Sequence, residues 1–171
     1  FILDLDPAPD VPFAAVTLAA RLVRQRLEDL GLESTVKTTG GKGLHVIVPL
    51  RSAASWPIAK GFAKAIADSL ARDEPTIFLA KASKAARKGR IYVDYLRNDR
   101  GSTAVGAYCV RARQGLPVAM PLDWSQVTET LQPADYSIET VDQVALPKEW
   151  RAARGWRQGL DGKRLKAVGM K

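Results

Sequence analysis

The sequence predicts an α+β fold: one antiparallel sheet, two helices packed on a single face of it, and an irregular C-terminal extension. Three observations carry this expectation. Short stretches of strand character and two long stretches of helical periodicity follow one another in the order strand, helix, strand, strand, helix, strand. A tight glycine-rich linker joins the second and third strands as a hairpin turn would. The chain is 46% hydrophobic over 171 residues, enough for one core of single-domain size.

Phe1–Asp6 alternates and reads as strand 1, ended by Pro7, Pro9 and Pro12. A core strand that begins at residue 1 is expected in a piece of a longer protein. Phe13–Leu30 is an amphipathic helix with Phe13, Val16, Ala20, Val23, Leu27 and Leu30 along one face, and Gly31 stands where a C-cap glycine belongs. Ser34–Thr38 and Leu44–Pro49 are strands 2 and 3 around the linker Thr39-Gly-Gly-Lys-Gly43. Pro57–Arg72 is the second helix, with Pro57 at its first turn and Ile58, Phe62, Ala65, Ile66 and Leu70 on its inner face. Ile91–Leu96 is strand 4. The order βαββαβ is the ferredoxin-like, or RRM-like, pattern. Right-handed crossovers put strands 1 and 3 in the centre, with strand 4 antiparallel beside strand 1. Beyond residue 96 the pattern weakens. Helices are expected at Asp123–Leu131 and near Lys148–Trp156, and the Gly-Lys-Arg content of 148–171 points to a mobile end or linker.

Composition narrows the functional classes. No apolar run approaches the roughly 18 residues of a membrane span; the longest, Val11–Ala20, is interrupted by Pro12 and Thr17. A single cysteine, Cys109, excludes a disulfide framework or a cysteine metal cluster and fits a reduced, cytosolic compartment. The net charge of +8 is concentrated in two blocks. Residues 1–79 balance at nine bases and nine acids, whereas 80–113 hold nine bases and two acids. Residues 114–147 hold five acids and no base, and 148–171 hold eight bases and two acids. Clustered Lys and Arg of this kind meet phosphates, or form a solvated surface.

Asp4 and Asp6 stand two apart on a strand and so share one face of the sheet. Desolvating two carboxylates there is costly, which points to a use. Asp94, on the adjacent strand, is expected to face the same side. Three converging carboxylates repel one another unless a cation lies between them, and an all-oxygen donor set suits Mg²⁺ or Mn²⁺. Two such ions are common machinery for nucleotidyl transfer. The structural alternative is that Asp4 and Asp6 cap the turn before Pro7 while Asp94 pairs with Arg90 or Arg97. An Asp-x-Asp phosphatase fits poorly, because Pro-Ala-Pro follows the second aspartate and the strand order does not favour a parallel sheet.

The run Thr38-Thr-Gly-Gly-Lys-Gly-Leu-His45 is the second feature. Its glycine turn, Gly40 included, offers backbone N–H groups as an anion nest, Lys42 adds charge, and Thr39 adds a hydroxyl. It is not a P-loop, since the spacing differs and it joins two strands. His45, the sole histidine, opens strand 3. The third feature is the basic run Lys81, Lys84, Arg87, Lys88 and Arg90, followed by Arg97, Arg100, Arg111 and Arg113. Arg87 and Arg111 are candidates for bidentate phosphate contacts. Trp56, Trp124, Trp150 and Trp156 read as packing residues.

Together, Asp4-Leu-Asp6, Thr39-Gly-Gly-Lys-Gly-Leu-His45 and Val93-Asp94 resemble, in order and spacing, the three motifs of archaeo-eukaryotic primases. The wording is closer still to the polymerase domain of bacterial ATP-dependent DNA ligase D. That family's texts DLDP, KTTGGKGLHV, SKAKRKGRIFVDYLRN and RARPGAPVAMPL are near repeats of residues 4–7, 37–46, 83–98 and 111–122. The resemblance covers about residues 1–125 and implies a primase-like catalytic core there, with 126–171 as an extension or linker. It implies a template-directed nucleotidyltransferase of bacterial non-homologous end joining that adds nucleotides, preferentially ribonucleotides, at DNA breaks, gaps and 3′ overhangs. Asp4, Asp6 and Asp94 would hold two Mn²⁺ (or Mg²⁺) ions, with Asp94 also aiding the 3′-hydroxyl. Thr39, Lys42, His45, Arg87 and Arg111 would contact the triphosphate of an NTP or dNTP. Implied partners are DNA ends, the end-joining protein Ku and the ligase and nuclease domains of a parent chain, in the bacterial cytoplasm at the nucleoid. One departure stands out: family members carry a long N-terminal module before the Asp-x-Asp strand, including a second active-site histidine and a pocket for a DNA 5′-phosphate. The alternative is a non-catalytic nucleic-acid-binding fragment, which would bind DNA with steep salt dependence.

Overall fold

The computed structural model describes residues 1–51, 54–83, 85–141 and 145–170. Strand β1 (Ile2–Pro7) sets the architecture, because its alternation gives it one apolar and one acidic face: Leu3 and Leu5 are fully buried, while Asp4 and Asp6 lie on the opposite side. Helix α1 (Phe13–Asp29) follows and buries Val16, Ala20, Val23 and Leu27 as the periodicity predicts. It ends in a Schellman-type turn: Gly31 N–H donates to Glu28 O, Leu32 N–H donates to Leu27 O, and Gly31 takes φ 68°. Strands β2 (Thr35–Thr38) and β3 (Leu44–Ile47) form the expected hairpin, and α2 (Trp56–Asp73) buries Phe62, Ile66 and Leu70. Ile58, expected on that inner face, is exposed at the first turn.

The short strand β4 (Phe78–Leu79) precedes β5 (Ile91–Asp94), and β6 (Pro121–Leu122) completes one sheet in the order β4-β5-β1-β3-β2-β6. Its four inner strands reproduce the βαββαβ order: β1 lies between β3 and β5 and is antiparallel to both. The additions are the two-residue edge strands, β4 parallel to β5 and β6 antiparallel to β2. Leu3, Leu5, Val36, Leu44, Val46 and Val93 join the inner faces of α1 and α2 in one core. Each such side chain contributes about 1.5–3 kcal/mol on burial. The other face of the sheet is left for chemistry.

Three expectations are corrected. Strand 4 stops at Asp94 instead of running to Leu96, because the Asp94 carboxylate accepts the Leu96 N–H at 2.8 Å and turns the chain. The helix expected at Asp123–Leu131 is only a 3-10 turn, Trp124–Gln126. Asp123 and Gln126 close a capping box around it, and the β-branched, polar run Val127-Thr-Glu-Thr130 gives little reason to extend it. Nor is 148–171 a free end over its described part. Helix α3 (Lys148–Ala152) runs into a 3-10 turn at Ala153–Gly155, and α4 (Gly162–Ala167) follows. Trp150 donates its indole N–H to Val36 O at 2.9 Å, and Gln158 bonds Glu33 and Pro49 with three contacts of 2.8 Å. The Arg164 guanidinium caps the end of α1 through Leu30 O and Gly31 O. Among the described residues, no helix is long and apolar enough to cross a membrane.

Candidate active site

Register fixes the centre of the site. Asp94 on β5 stands directly opposite Asp4 on β1; Asp4 stands opposite His45 on β3, and His45 opposite Lys37 on β2. A single row, Asp94–Asp4–His45–Lys37, therefore crosses the helix-free face. Asp6, two residues on from Asp4, pairs with Tyr92 one step along the same face.

The hairpin Thr39–Gly43 overhangs this row for a steric reason. A Cβ at Gly43 would lie 2.3 Å from Leu5 O, so only glycine lets the loop press against β1 between the two aspartates. Gly40 takes φ 62°, and a Cβ there would meet Arg111 Cγ at 2.5 Å. Arg111 in turn donates to Thr39 O at 3.0 Å, and Thr39 Oγ1 donates to Gly43 O at 3.1 Å. Lys42 Nζ reaches back to Pro7 O and lies 3.8 Å from Asp6 Oδ1.

These residues enclose a cavity of about 400 Å³ whose wall holds Asp4, Asp6, Thr39, Lys42, His45 and Arg111. Three expected site residues stand off that wall. Asp94 lies beneath Arg97 and is 8% exposed; Arg87 sits on Asp6 beside a recess formed with Pro9 and Lys88; Gly40 faces a neighbouring recess with Phe13 and Pro117. Lys84, of the same basic run, lies outside the described residues. The cavity wall also takes Arg97, Arg113 and the segment Thr103–Val105. Sequence reasoning assigned no site role to Thr103–Val105, which lacks any charged or metal-binding residue.

Each carboxylate meets a cation supplied by the chain. Arg87 pairs with Asp6 while stacking on the Tyr92 ring at 4.9 Å. Arg97 Nε lies 3.1 Å from Asp94 Oδ2 and 3.7 Å from Asp4 Oδ2. His45 Nε2 is 3.4 Å from Asp4 Oδ1, and its buried Nδ1 has no hydrogen-bond partner among the described residues. The alternative pairing of Asp94 with Arg97 is thus realised, whereas Asp4 and Asp6 look onto the cavity and not into the turn before Pro7. Among the described residues no three His, Cys, Asp or Glu groups converge closely enough to form a metal cluster. The chemistry of the donor set nevertheless fits a hard divalent ion: the oxygens are all carboxylate, and a positive guanidinium already lies between Asp4 and Asp94.

Two titrating groups on this face are perturbed. Burial depresses the Lys37 ammonium from the usual lysine value to about 8, against an opposing pull from the Asp4 charge. Burial, followed by the Asp94 charge, pushes the Tyr92 phenol up to about 12.

A βαββαβ sheet with aspartates on its open face, a glycine hairpin pressed against them and a cationic cavity wall defines a primase-like polymerase domain. The chain belongs to the LigD primase-polymerase domain family, whose family model matches residues 1–150. It is 40% identical over 174 residues to the multifunctional non-homologous end joining protein LigD of Pseudomonas aeruginosa, across 99% of this chain and 21% of that protein. The bifunctional non-homologous end joining protein LigD of Bacillus subtilis is 30% identical over 82% of the chain and 23% of its own length. The polymerase domain of Mycobacterium tuberculosis ligase D in complex with DNA superposes with a TM-score of 0.77 at 31% identity, covering 98% of this chain and 53% of that one. The chain thus spans about a fifth of these end-joining proteins and about half of that polymerase domain.

Proposed function

We propose that this chain is the nucleotidyl-transfer half of a LigD polymerase domain, extending DNA ends, gaps and 3′ overhangs during bacterial non-homologous end joining. The observation that carries this reading is that Asp4 and Asp6 share one cavity with the Thr39–Gly43 hairpin and Arg111, while Asp94 stands directly opposite Asp4 on the same face of the sheet. Residues 1–125 are the catalytic core and 126–171 an extension of it. Thr39, the Gly40 backbone, Lys42, His45, Arg87 and Arg111 grip the triphosphate of an incoming NTP or dNTP. Asp4, Asp6 and Asp94 hold two divalent ions, Mn²⁺ or Mg²⁺, and Asp94 orients the primer 3′-hydroxyl. When bound, such ions neutralise the reacting phosphate and ease deprotonation of the attacking hydroxyl. Template and primer ends lie against the Arg87–Arg90 and Arg97–Arg100 block, where phosphate contacts position the duplex without reading sequence. Ku and the ligase and nuclease activities of end joining are its working partners, in the cytoplasm at the nucleoid.

The test is primer extension on gapped DNA carrying a 5′-phosphate, with Mn²⁺ and ribonucleotides, for the wild type and for Asp4→Ala/Asp6→Ala. Extension that disappears in the double variant is the expected result; extension that survives it refutes the site. A second reading, a module that binds DNA without catalysis, draws on the basic partner already beside each carboxylate. It is favoured if neither protein extends the primer while both bind DNA with steep salt dependence.

A further inference from the structure

Among the described residues, Arg97 is the one side chain that bridges carboxylates from two different strands of the site. Its Nε lies 3.1 Å from Asp94 Oδ2 and 3.7 Å from Asp4 Oδ2, at the seam where β1 and β5 face each other. This position is built into the fold. Asp94 Oδ1 accepts the Leu96 N–H and turns the chain out of β5. Asn98, 4% exposed, then ties the turn to the start of β1, accepting the Ile2 N–H and donating to Ile2 O at 2.7 Å each. Between these two anchors the guanidinium is delivered to the gap between Asp4 and Asp94. Two aspartates directly opposite across an antiparallel pair repel one another, and a cation at their seam removes that repulsion. The Arg97 side chain also lines the cavity beside Asp4 and Lys42 and remains 42% exposed, so it has room to leave.

We infer that Arg97 and a divalent cation compete for the Asp4–Asp94 seam, so that Arg97 is a positioning residue that sets how tightly, and how selectively, the site takes metal. The inference rests on the reading of Asp4, Asp6 and Asp94 as metal ligands. A tethered guanidinium keeps the carboxylates neutralised, and a divalent ion binds by displacing it from the seam. Weakly held ions lose that competition.

The experiment is a titration with Mn²⁺ alone, without nucleotide or DNA, following the electron paramagnetic resonance of the free ion. It compares the wild type with Arg97→Gln, Arg97→Lys, Arg100→Gln and Asp4→Ala. Arg97→Gln should bind Mn²⁺ about fivefold more tightly, the factor that one partly exposed ion pair near the top of its usual range represents. Arg97→Lys, which keeps the charge, should stay near the wild type. Arg100→Gln removes an equal charge from the same turn but touches no site carboxylate, and should also leave affinity near the wild type. Unchanged or weaker binding in Arg97→Gln overturns the competition, as does equal tightening in Arg100→Gln, which would mean a diffuse charge effect. Binding that survives Asp4→Ala, or no binding in the wild type, overturns the metal site itself and the competition with it.

Discussion

Lys37 offers a test of the electrostatics beneath the site. It sits on β2 in register with His45, is 2% exposed, and among the described residues its ammonium makes one hydrogen bond, to Thr38 O at 3.3 Å. Three donors with one long bond is poor compensation for a buried charge. The depression of its pKa to about 8 expresses that burden, and the shift from the usual lysine value corresponds to about 3 kcal/mol at neutral pH. Lys37→Met keeps the length of the side chain, removes the charge and loses one hydrogen bond worth about 1 kcal/mol. The variant should therefore be more stable than the wild type by about 1–3 kcal/mol at pH 7. The sign with pH follows from linkage. Between about 8 and the unfolded lysine value the unfolded chain binds more protons than the folded one, so wild-type stability rises with pH across that window. The advantage of Lys37→Met should shrink toward zero over the same range. Paired urea unfolding at steps from neutral pH to about 10.5 reads the difference and cancels the other titrating groups. A variant less stable at pH 7, or a difference that does not change with pH, refutes the reasoning.

Other substitutions probe the supports of the site. Gly43→Ala drives a methyl group into Leu5 O and should cost about 2 kcal/mol or more by urea unfolding, with loss of nucleotide binding. Asn98→Ala removes both bonds to Ile2 and should cost about 1–3 kcal/mol in the same assay; an effect within error would show that the turn carrying Arg97 needs no anchor. Burial, and then a hydrogen bond with Asp123, raise the Glu149 carboxyl above its ordinary value, so docking of α3 should be firmest at acidic pH and weaken as pH rises through that raised value. Asp123, held low chiefly by its hydrogen bond with Glu149, stays ionised and loses its contribution only at lower pH. Glu149→Gln should remove the weakening on the alkaline side, read from the fluorescence of Trp150 beside it.

Much of this architecture is legible in the sequence, because its signals are periodic. The faces of α1 and α2, the glycine after α1 and the alternation of β1 each repeat often enough to be recognised, and the Asp4–Asp6 spacing places both carboxylates on one face. What escapes is non-periodic. Strands β4 and β6 contribute two residues each, too few to show a period of two. The docking of 148–170 depends on Gln158 and Arg164 binding backbone carbonyls, contacts that leave no hydrophobic pattern. Lys37 looks like any solvated strand lysine until the fold pairs β6 with β2 and brings Cys109 and Arg111 near its ammonium. The competition at Arg97 is visible only once register shows Asp4 and Asp94 to be opposite each other; in the sequence they are ninety residues apart.

The claim on which the account rests is that Asp4, Asp6 and Asp94 form a divalent-cation site. Anomalous diffraction at the manganese edge, from crystals grown with Mn²⁺ and a non-hydrolysable ribonucleoside triphosphate, tests it most directly. Anomalous peaks are expected beside Asp4 and Asp94 and beside Asp4 and Asp6, with the Arg97 guanidinium moved off the seam. Peaks confined to surface carboxylates such as Asp68 or Asp73, with Arg97 still bridging Asp4 and Asp94, would contradict it.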